Sequence, residues 1–272
     1  MQPFFIETRS GFLFSVYWPP RSNSMGQAVL HIPAFSEEMN KSRHMVALQA
    51  RALAAQGYAV LVMDLFGTGD SCGDFGEATW DIWLQNIADS IVWLKQNDAQ
   101  TITLWGLRLG ALLAMDFSQR NPGLVDRLLL WQPVLNGDMF VTQFLRLRVA
   151  AAMMNRAIPQ EKTSELKSRL LSGQALEVAG YALHPDLVRP VVTLKTDSLN
   201  LQNLKEILIF ELVAGSESEP SLVNQQFLNK LHAFGIKASL TAVEGDNFWG
   251  SQEIVTTPNL IELTIDKAKQ WL

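Results

Sequence analysis

The sequence predicts an α/β fold with a mostly parallel central sheet and helices on both faces. Short apolar runs alternate with longer segments in which apolar residues recur at helical spacing. The apolar runs are nearly continuous, as expected for strands that are buried on both faces. Repeated strand–helix–strand units favour parallel pairing with the intervening helices packed on the sheet.

The elements follow in order along the chain. An N-terminal hairpin is expected over residues 4–8 and 12–18, since Ser10-Gly11 forms its turn and Pro19-Pro20 ends its second strand. The remaining strands are predicted at residues 28–32, 59–63, 101–105, 127–131, 206–214 and 238–243. Helices are predicted at residues 44–56, 78–97, 109–119, 222–234 and 260–272.

Residues 138–204 interrupt this alternation. The segment is rich in Leu, Arg and Met, and it predicts mainly helices. We therefore expect one domain over residues 1–272, with residues 138–204 as a helical cap inserted after the strand that ends at Trp131.

The composition excludes several classes of function. The net charge is −5, with both signs spread along the chain, which disfavours a nucleic-acid partner. No apolar run reaches the about 18 residues of a transmembrane segment, and no signal peptide is recognised, so a cytoplasmic location is expected. Cys72 is the only cysteine, and the four histidines have no other ligand at a metal-site spacing. No metal and no cofactor are predicted, and the oligomeric state is left open.

Three motifs lie at turns that follow predicted strands. Residues 64–71 read Asp-Leu-Phe-Gly-Thr-Gly-Asp-Ser, with glycines that permit backbone reversals. Residues 106–110 read Gly-Leu-Arg-Leu-Gly, in the place of a Gly-x-Ser-x-Gly nucleophile elbow. Residues 31–35 take the place of the oxyanion-hole loop, where Phe35 or Ser36 would donate the N–H. Their order along the chain, 31–35, then 64–71, then 106–110, predicts the α/β-hydrolase fold.

Longer runs resemble one particular family. They are residues 33–43, 105–111, 131–134, 144–148 and 177–181. Together they resemble the hydrolase 2 family that accompanies exosortase A systems in bacteria, and Gly-Leu-Arg-Leu-Gly resembles that family's own pattern. The resemblance implies an esterase-like hydrolase fold and a genomic association with exopolysaccharide production and protein sorting. It implies no substrate.

The positions of a Ser–His–acid triad are altered in this chain. Arg108 stands in the nucleophile position, and a guanidinium stays protonated and is no nucleophile. Asp246 or Asn247 stands in the base position, and Glu217 or Glu219 in the acid position. Because serine and histidine are both replaced, we predict that the Ser–His mechanism is absent.

Other nucleophiles and bases are disfavoured. Ser36, Ser71 and Cys72 lie near turns, where such residues usually bond to the backbone. His31 would be a base for Ser36 or Ser71, but at a strand end it is expected to be a satisfied structural residue.

Arg108 has two interpretations. At a helix N-terminus, which favours anions, its guanidinium would bind the carboxylate, phosphate or sulfate of a small anionic ligand. Alternatively it forms an internal ion pair with Glu37, Glu38 or Asp246, since a buried guanidinium needs a partner. The substrate-binding residues expected around it are Phe35, Ser36, Glu37, Leu109 and Trp249.

Two functions of different class are therefore open. One is a hydrolase in which Glu37, Glu38 or Asp246 activates a water and Arg108 polarises the substrate. The other is a non-catalytic binding or scaffold protein that keeps the hydrolase fold, because fold alone does not fix function.

Overall fold

An eight-stranded sheet forms the centre of the computed structural model, which describes residues 1–21, 26–154, 160–215 and 217–271. The strands are β1 (Gln2–Thr8), β2 (Gly11–Trp18), β3 (Gln27–Ile32), β4 (Ala59–Met63), β5 (Thr101–Leu107), β6 (Arg127–Trp131), β7 (Leu176–Val178), β8 (Tyr181–Leu183), β9 (Glu206–Val213) and β10 (Ala238–Glu244). The helices are α1 (Glu37–Ala55), α2 (Trp80–Gln96), α3 (Leu109–Arg120), α4 (Gly137–Met154), α5 (Thr163–Leu171), α6 (Pro185–Thr193), α7 (Leu222–Ala233) and α8 (Pro258–Ala268).

The strand order across the sheet is β1-β2-β4-β3-β5-β6-β9-β10. β2 pairs antiparallel with β1 and with β4, and all the other pairs in this sheet are parallel. Alternate residues of the central strands enter two separate cores. Leu104 packs with α2 and α3, whereas Trp105 packs with α1 and α8. The predicted mostly parallel sheet with helices on both faces is confirmed.

Helix α1 begins at Glu37, two turns before the predicted start at residue 44. Ser36 is its N-cap, and the two glutamates that follow stabilise the positive end of the helix dipole. The first part of this helix lacks the expected apolar spacing because a polar residue, Ser42, occupies one of its buried positions. The burial of Ser42 is possible because its hydroxyl donates to the backbone oxygens of Glu38 and Met39. The earlier start brings Glu38 into the first turn of the helix.

The segment between β6 and β9 contains α4, α5 and α6, together with a β7–β8 hairpin that the sequence did not predict. Ion pairs from Lys167 to Asp138, and from Arg148 and Arg169 to Glu161, connect α4 to α5 and to the chain between them. Within the described ranges, no helix is long and apolar enough to cross a bilayer.

Candidate functional site at the β5–α3 turn

Arg108 occupies a strained turn between β5 and α3. Its backbone has φ 55° and ψ −118°, a conformation that residues with a Cβ rarely adopt. Gly106 and Gly110 are required because neighbouring backbone atoms leave no room for a Cβ at either position. A Cβ on Gly106 would lie 2.4 Å from the Ala111 Cα, and one on Gly110 would lie 2.3 Å from the Ile32 oxygen. The backbone geometry of a nucleophile elbow is therefore present, with an arginine at its apex.

Ser36 occupies a similar turn between β3 and α1. Its backbone has φ 51° and ψ −127°, and its side chain makes no capping hydrogen bond. Strands β3 and β5 are neighbours in the sheet, with Ile32 opposite Gly106. The two turns therefore lie side by side at the carboxyl edge of the sheet, where open α/β sheets bind ligands.

Arg108 is held between a carboxylate and an aromatic ring. Its Nη2 lies 3.2 Å from Glu38 Oε1, and its Nε lies 3.3 Å and 3.4 Å from the two carboxylate oxygens. The guanidinium carbon also lies 5.3 Å from the centre of the Trp249 ring, within the range of a cation–π contact. Both charged side chains keep a solvent-facing fraction, 21% for Arg108 and 26% for Glu38.

Burial raises the pKa of Glu38 above the ordinary value of a glutamate. The neighbouring Arg108 charge, the hydrogen bonds from Arg108 and the charge of Lys41 oppose this rise. Desolvation is the largest of these effects, so burial disfavours the charged form of Glu38 even beside the Arg108 guanidinium.

A cavity of about 260 Å³ opens beside this ion pair. Its lining combines charged residues of α1 and the two turns with aromatic residues of α4 and Trp249. The lining residues are Phe35, Ser36, Glu37, Glu38, Lys41, Arg108, Phe140, Gln143, Phe144, Leu147, Trp249 and Gly250. The Phe35 ring makes edge contacts with Phe144 and Phe140, with centroids 5.0 Å and 5.6 Å away. The cavity therefore offers an aromatic wall next to a cation.

The structure brings together five of the ten site residues expected from the sequence. Arg108, Phe35, Ser36, Glu37 and Trp249 all line this cavity. A sixth, the side chain of Leu109, lies with Phe35 at a small apolar cavity against α4 and α6.

The expected base and acid positions lie elsewhere. Asp246 and Asn247 are exposed in the loop after β10, and neither is among the residues that line the cavity. Glu217 and Glu219 are also exposed and lie outside the lining. The carboxylate that meets Arg108 is that of Glu38, one of the three partners considered for an internal ion pair.

Sequence reasoning missed Lys41, Phe140, Gln143 and Phe144. The signal for Lys41 is the helical spacing from Glu37 and Glu38 once Ser36 is taken as the N-cap. The residues of α4 carry no comparable signal in the sequence, because their position beside the elbow results from the tertiary packing of that helix.

The other proposed nucleophiles have structural partners. The Ser71 hydroxyl donates to the Asp64 oxygen at 2.7 Å and accepts from the Phe14 N–H at 2.8 Å. The Cys72 thiol contacts the Ser10 oxygen at 3.3 Å. Both residues therefore fix the turn of residues 64–71 against the N-terminal hairpin.

His31 is almost fully buried, and its Nδ1 lies 3.1 Å from the Trp105 oxygen. Burial lowers the pKa of His31 to about 3, so the ring is neutral and Nδ1 carries the proton. The histidine is a structural residue, as expected. Across the part of the chain that the structure describes, no cluster of three or more His, Cys, Asp or Glu side chains is arranged to hold a metal.

The comparisons with known proteins agree with this fold. The sequence model of the Hydrolase_4 family, described as serine aminopeptidase, S33, matches residues 27–205. Among solved structures, Est1E from Butyrivibrio proteoclasticus with bound ferulic acid aligns with a TM-score of 0.68 at 20% identity, over 98% of this chain and 97% of that one. No curated protein sequence matches the chain.

Two further structures show the same architecture. An esterase from Pyrobaculum calidifontis aligns with a TM-score of 0.64 at 17% identity, over 99% of this chain and 84% of that one. XC6422 from Xanthomonas campestris, an α/β serine hydrolase without a lid, aligns with a TM-score of 0.61 at 13% identity, over 100% of this chain and 94% of that one. At these identities the likeness concerns the fold, and the predicted α/β-hydrolase fold is confirmed.

Proposed function

The chain belongs to the Hydrolase_4 family of α/β-hydrolases, and we propose that its elbow binds the anionic group of a small aromatic ligand in place of forming an acyl-enzyme. The observation that carries this proposal is Arg108 on the wall of an aromatic cavity of about 260 Å³. In this proposal the Ser–His–acid triad is absent, since the guanidinium at the apex is not a nucleophile.

Arg108 has donors left for a ligand. Its Nε and Nη2 face Glu38, while Nη1 has no acceptor among the described residues. Two backbone N–H groups at the neighbouring helix starts, those of Ser36 and Leu109, also have no acceptor in the described ranges. Free N–H groups at helix N-termini together with a guanidinium favour a carboxylate, phosphate or sulfate group.

The aromatic wall favours a flat ligand body. Phe35, Phe140 and Phe144 pack with one another and face the same cavity as Arg108. Est1E holds ferulic acid, an aromatic carboxylate. We extend that class of ligand to this chain.

We also propose that residues 138–204 act as a cap, because α4 supplies two of these rings.

A binding measurement tests this function. Ferulate is titrated into the protein by calorimetry, with methyl ferulate as the neutral control. We expect ferulate to bind at least about tenfold more tightly than its ester, and Arg108→Gln to remove that difference. Equal affinity of the wild-type protein for the acid and the ester would contradict the proposal.

Glu38 supports a second candidate function, ester hydrolysis without a serine nucleophile. Its half-buried carboxyl has a raised pKa and lies 3.2 Å from the Arg108 guanidinium at the cavity wall. It would remove a proton from a water, while Arg108 stabilises the oxyanion. Turnover of p-nitrophenyl acetate that is lost in Glu38→Gln and kept in Ser36→Ala would support this function. Loss in Ser36→Ala instead would indicate serine chemistry.

The sequence runs that resemble the exosortase A-associated hydrolases support a proposal about context. We propose that this chain acts in the cytoplasm of a bacterium that makes an exopolysaccharide and sorts proteins with a Pro-Glu-Pro signal. Gene neighbourhoods test this proposal directly. An exosortase gene near the coding sequence is expected, and its consistent absence in related genomes would contradict the link.

A further inference from the structure

A second cavity of about 230 Å³ lies on the other side of Arg108. It is formed where the ends of β6 and β9 meet the first turns of α4 and α7. Three residues line both this cavity and the cavity of about 260 Å³ beside the Arg108–Glu38 ion pair. They are Arg108, Phe140 and Gln143. The remaining lining residues include Gln132, Glu211, Ser221 and Asn224.

Glu211 is a carboxylate without a counter-ion. Glu211 is 6% exposed and lies in β9, where the other residues from 207 to 213 are all apolar. Its Oε2 accepts one hydrogen bond, from the Ser221 N–H at 2.9 Å. No ion pair to Glu211 is found in the described part of the chain, and its Oε1 has no described donor. A carboxylate buried in this way normally has a cation or several donors.

Asn224 also lines this cavity. The residue is 5% exposed and is one turn into α7, with its N–H 3.4 Å from the Ser221 hydroxyl. Its side-chain oxygen is buried and has no partner among the described residues. A buried acceptor without a donor is rare in folded proteins, so the Asn224 oxygen, beside a Glu211 carboxylate that has no counter-ion among the described residues, points to a missing donor.

We propose that Glu211 and Asn224 form a subsite for the ammonium group of a ligand. An ammonium has three N–H donors and a positive charge, which matches one carboxylate and one amide oxygen. A metal ion is a poorer fit, since no group of three His, Cys, Asp or Glu ligands is found across the described residues. Arg108 does not oppose the ammonium strongly, because Glu38 pairs with its charge.

The subsite is independent of anion binding at Arg108. Its polar groups are in β9 and α7, whereas the ion pair is formed by α1 and the β5–α3 turn. Because Arg108 lies on the wall between the cavities, one molecule that carries an amine and an anionic group would be able to occupy both.

The test uses n-butylammonium chloride as the probe and 1-butanol as its neutral counterpart of similar shape. Amide NMR spectra of the isotope-labelled wild-type chain are recorded at constant ionic strength near neutral pH. We expect saturable shifts of the Ser221 backbone and Asn224 side-chain signals, with an affinity at least about tenfold higher for butylammonium than for butanol. Equal affinities, or no saturable shift at these signals, would overturn the proposal.

Variants then identify the group responsible. Glu211→Gln keeps the size of the side chain and removes its charge, so butylammonium binding should weaken by about tenfold or more. Glu219→Gln is the matched control, because that carboxylate is exposed and lies outside the cavity lining. Unchanged affinity in a folded Glu211→Gln protein, or an equal loss in Glu219→Gln, would also overturn the proposal. Ferulate binding in the same samples reports on Arg108 separately, so failure of one site does not depend on the other.

Discussion

The guanidinium of Arg108 meets the carboxylate of Glu38, with Nη2 3.2 Å from Oε1, at the apex of a turn that has the backbone geometry of a nucleophile elbow. The two residues are 70 positions apart in the chain and come from neighbouring strand–helix units. Each neutralises the other beside an aromatic cavity. Any ligand anion that reaches Arg108 must therefore compete with an internal carboxylate.

The affinity for an anion should rise as the pH falls. Protonation of Glu38, whose pKa is raised by burial, removes the charge that competes for Arg108. Benzenesulfonate is a suitable probe because it stays ionised, and calorimetry between about pH 8 and about pH 5 would show tighter binding at the acidic end. Glu38→Gln should bind tightly over the whole range. Glu219→Gln is the control, and a pH profile that is flat in the wild-type protein would refute the competition.

Introducing serine and histidine at the two triad positions should not produce esterase activity. In Arg108→Ser/Asn247→His the new serine takes the apex of the turn, but residue 247 is exposed and is not among the residues lining the cavity. We therefore expect a histidine at this position to lie outside the hydrogen-bond reach that a general base needs. Hydrolysis of p-nitrophenyl acetate by the double variant is expected to equal that of Arg108→Ser alone. A clear burst of p-nitrophenol in the double variant would show that the loop after β10 closes over the elbow.

Gly110→Ala should destabilise the protein strongly. A Cβ at this position would lie 2.3 Å from the Ile32 oxygen and 2.4 Å from the Pro33 oxygen, so backbone has to move. We expect the free energy of unfolding to fall by about 3 kcal/mol, measured by urea denaturation. Gly215→Ala is the control, since the nearest atom to its new Cβ is 3.6 Å away. Similar losses in both variants would show that the crowding at Gly110 is relieved at little cost.

Acid should destabilise the fold through His31. The folded-state pKa of His31 is lowered to about 3 by burial, against 6.5 for the exposed side chain. The unfolded chain therefore takes up a proton first, and the stability present above about pH 6.5 is lost as the pH falls toward 3, at about 1.4 kcal/mol per pH unit. Urea denaturation at several pH values should show a shallower loss in His31→Gln. His44→Gln, at an exposed position, should keep the wild-type slope.

Most of the secondary structure was predictable because its signals are local. The helix predicted at residues 109–119 is found at Leu109–Arg120, and the strand predicted at residues 127–131 has those bounds. The start of α1 was not predictable from apolar spacing, since Ser42 is a polar residue in a buried helical position. The sequence indicated the elbow through its two glycines, and the structure gives the steric reason for each.

The amino-acid sequence was sufficient to predict the α/β architecture and the turn that presents residue 108, and it shows that this residue is an arginine. The carboxylate that meets Arg108 could be identified only from the packing of the chain, because the sequence offered Glu37, Glu38 and Asp246 as partners. It placed Glu38 at the guanidinium, left Asp246 exposed and buried Glu211 at a second cavity. This difference arises because local periodicity fixes strands and helices, whereas the partner of a buried charge depends on how segments that are distant in sequence pack together.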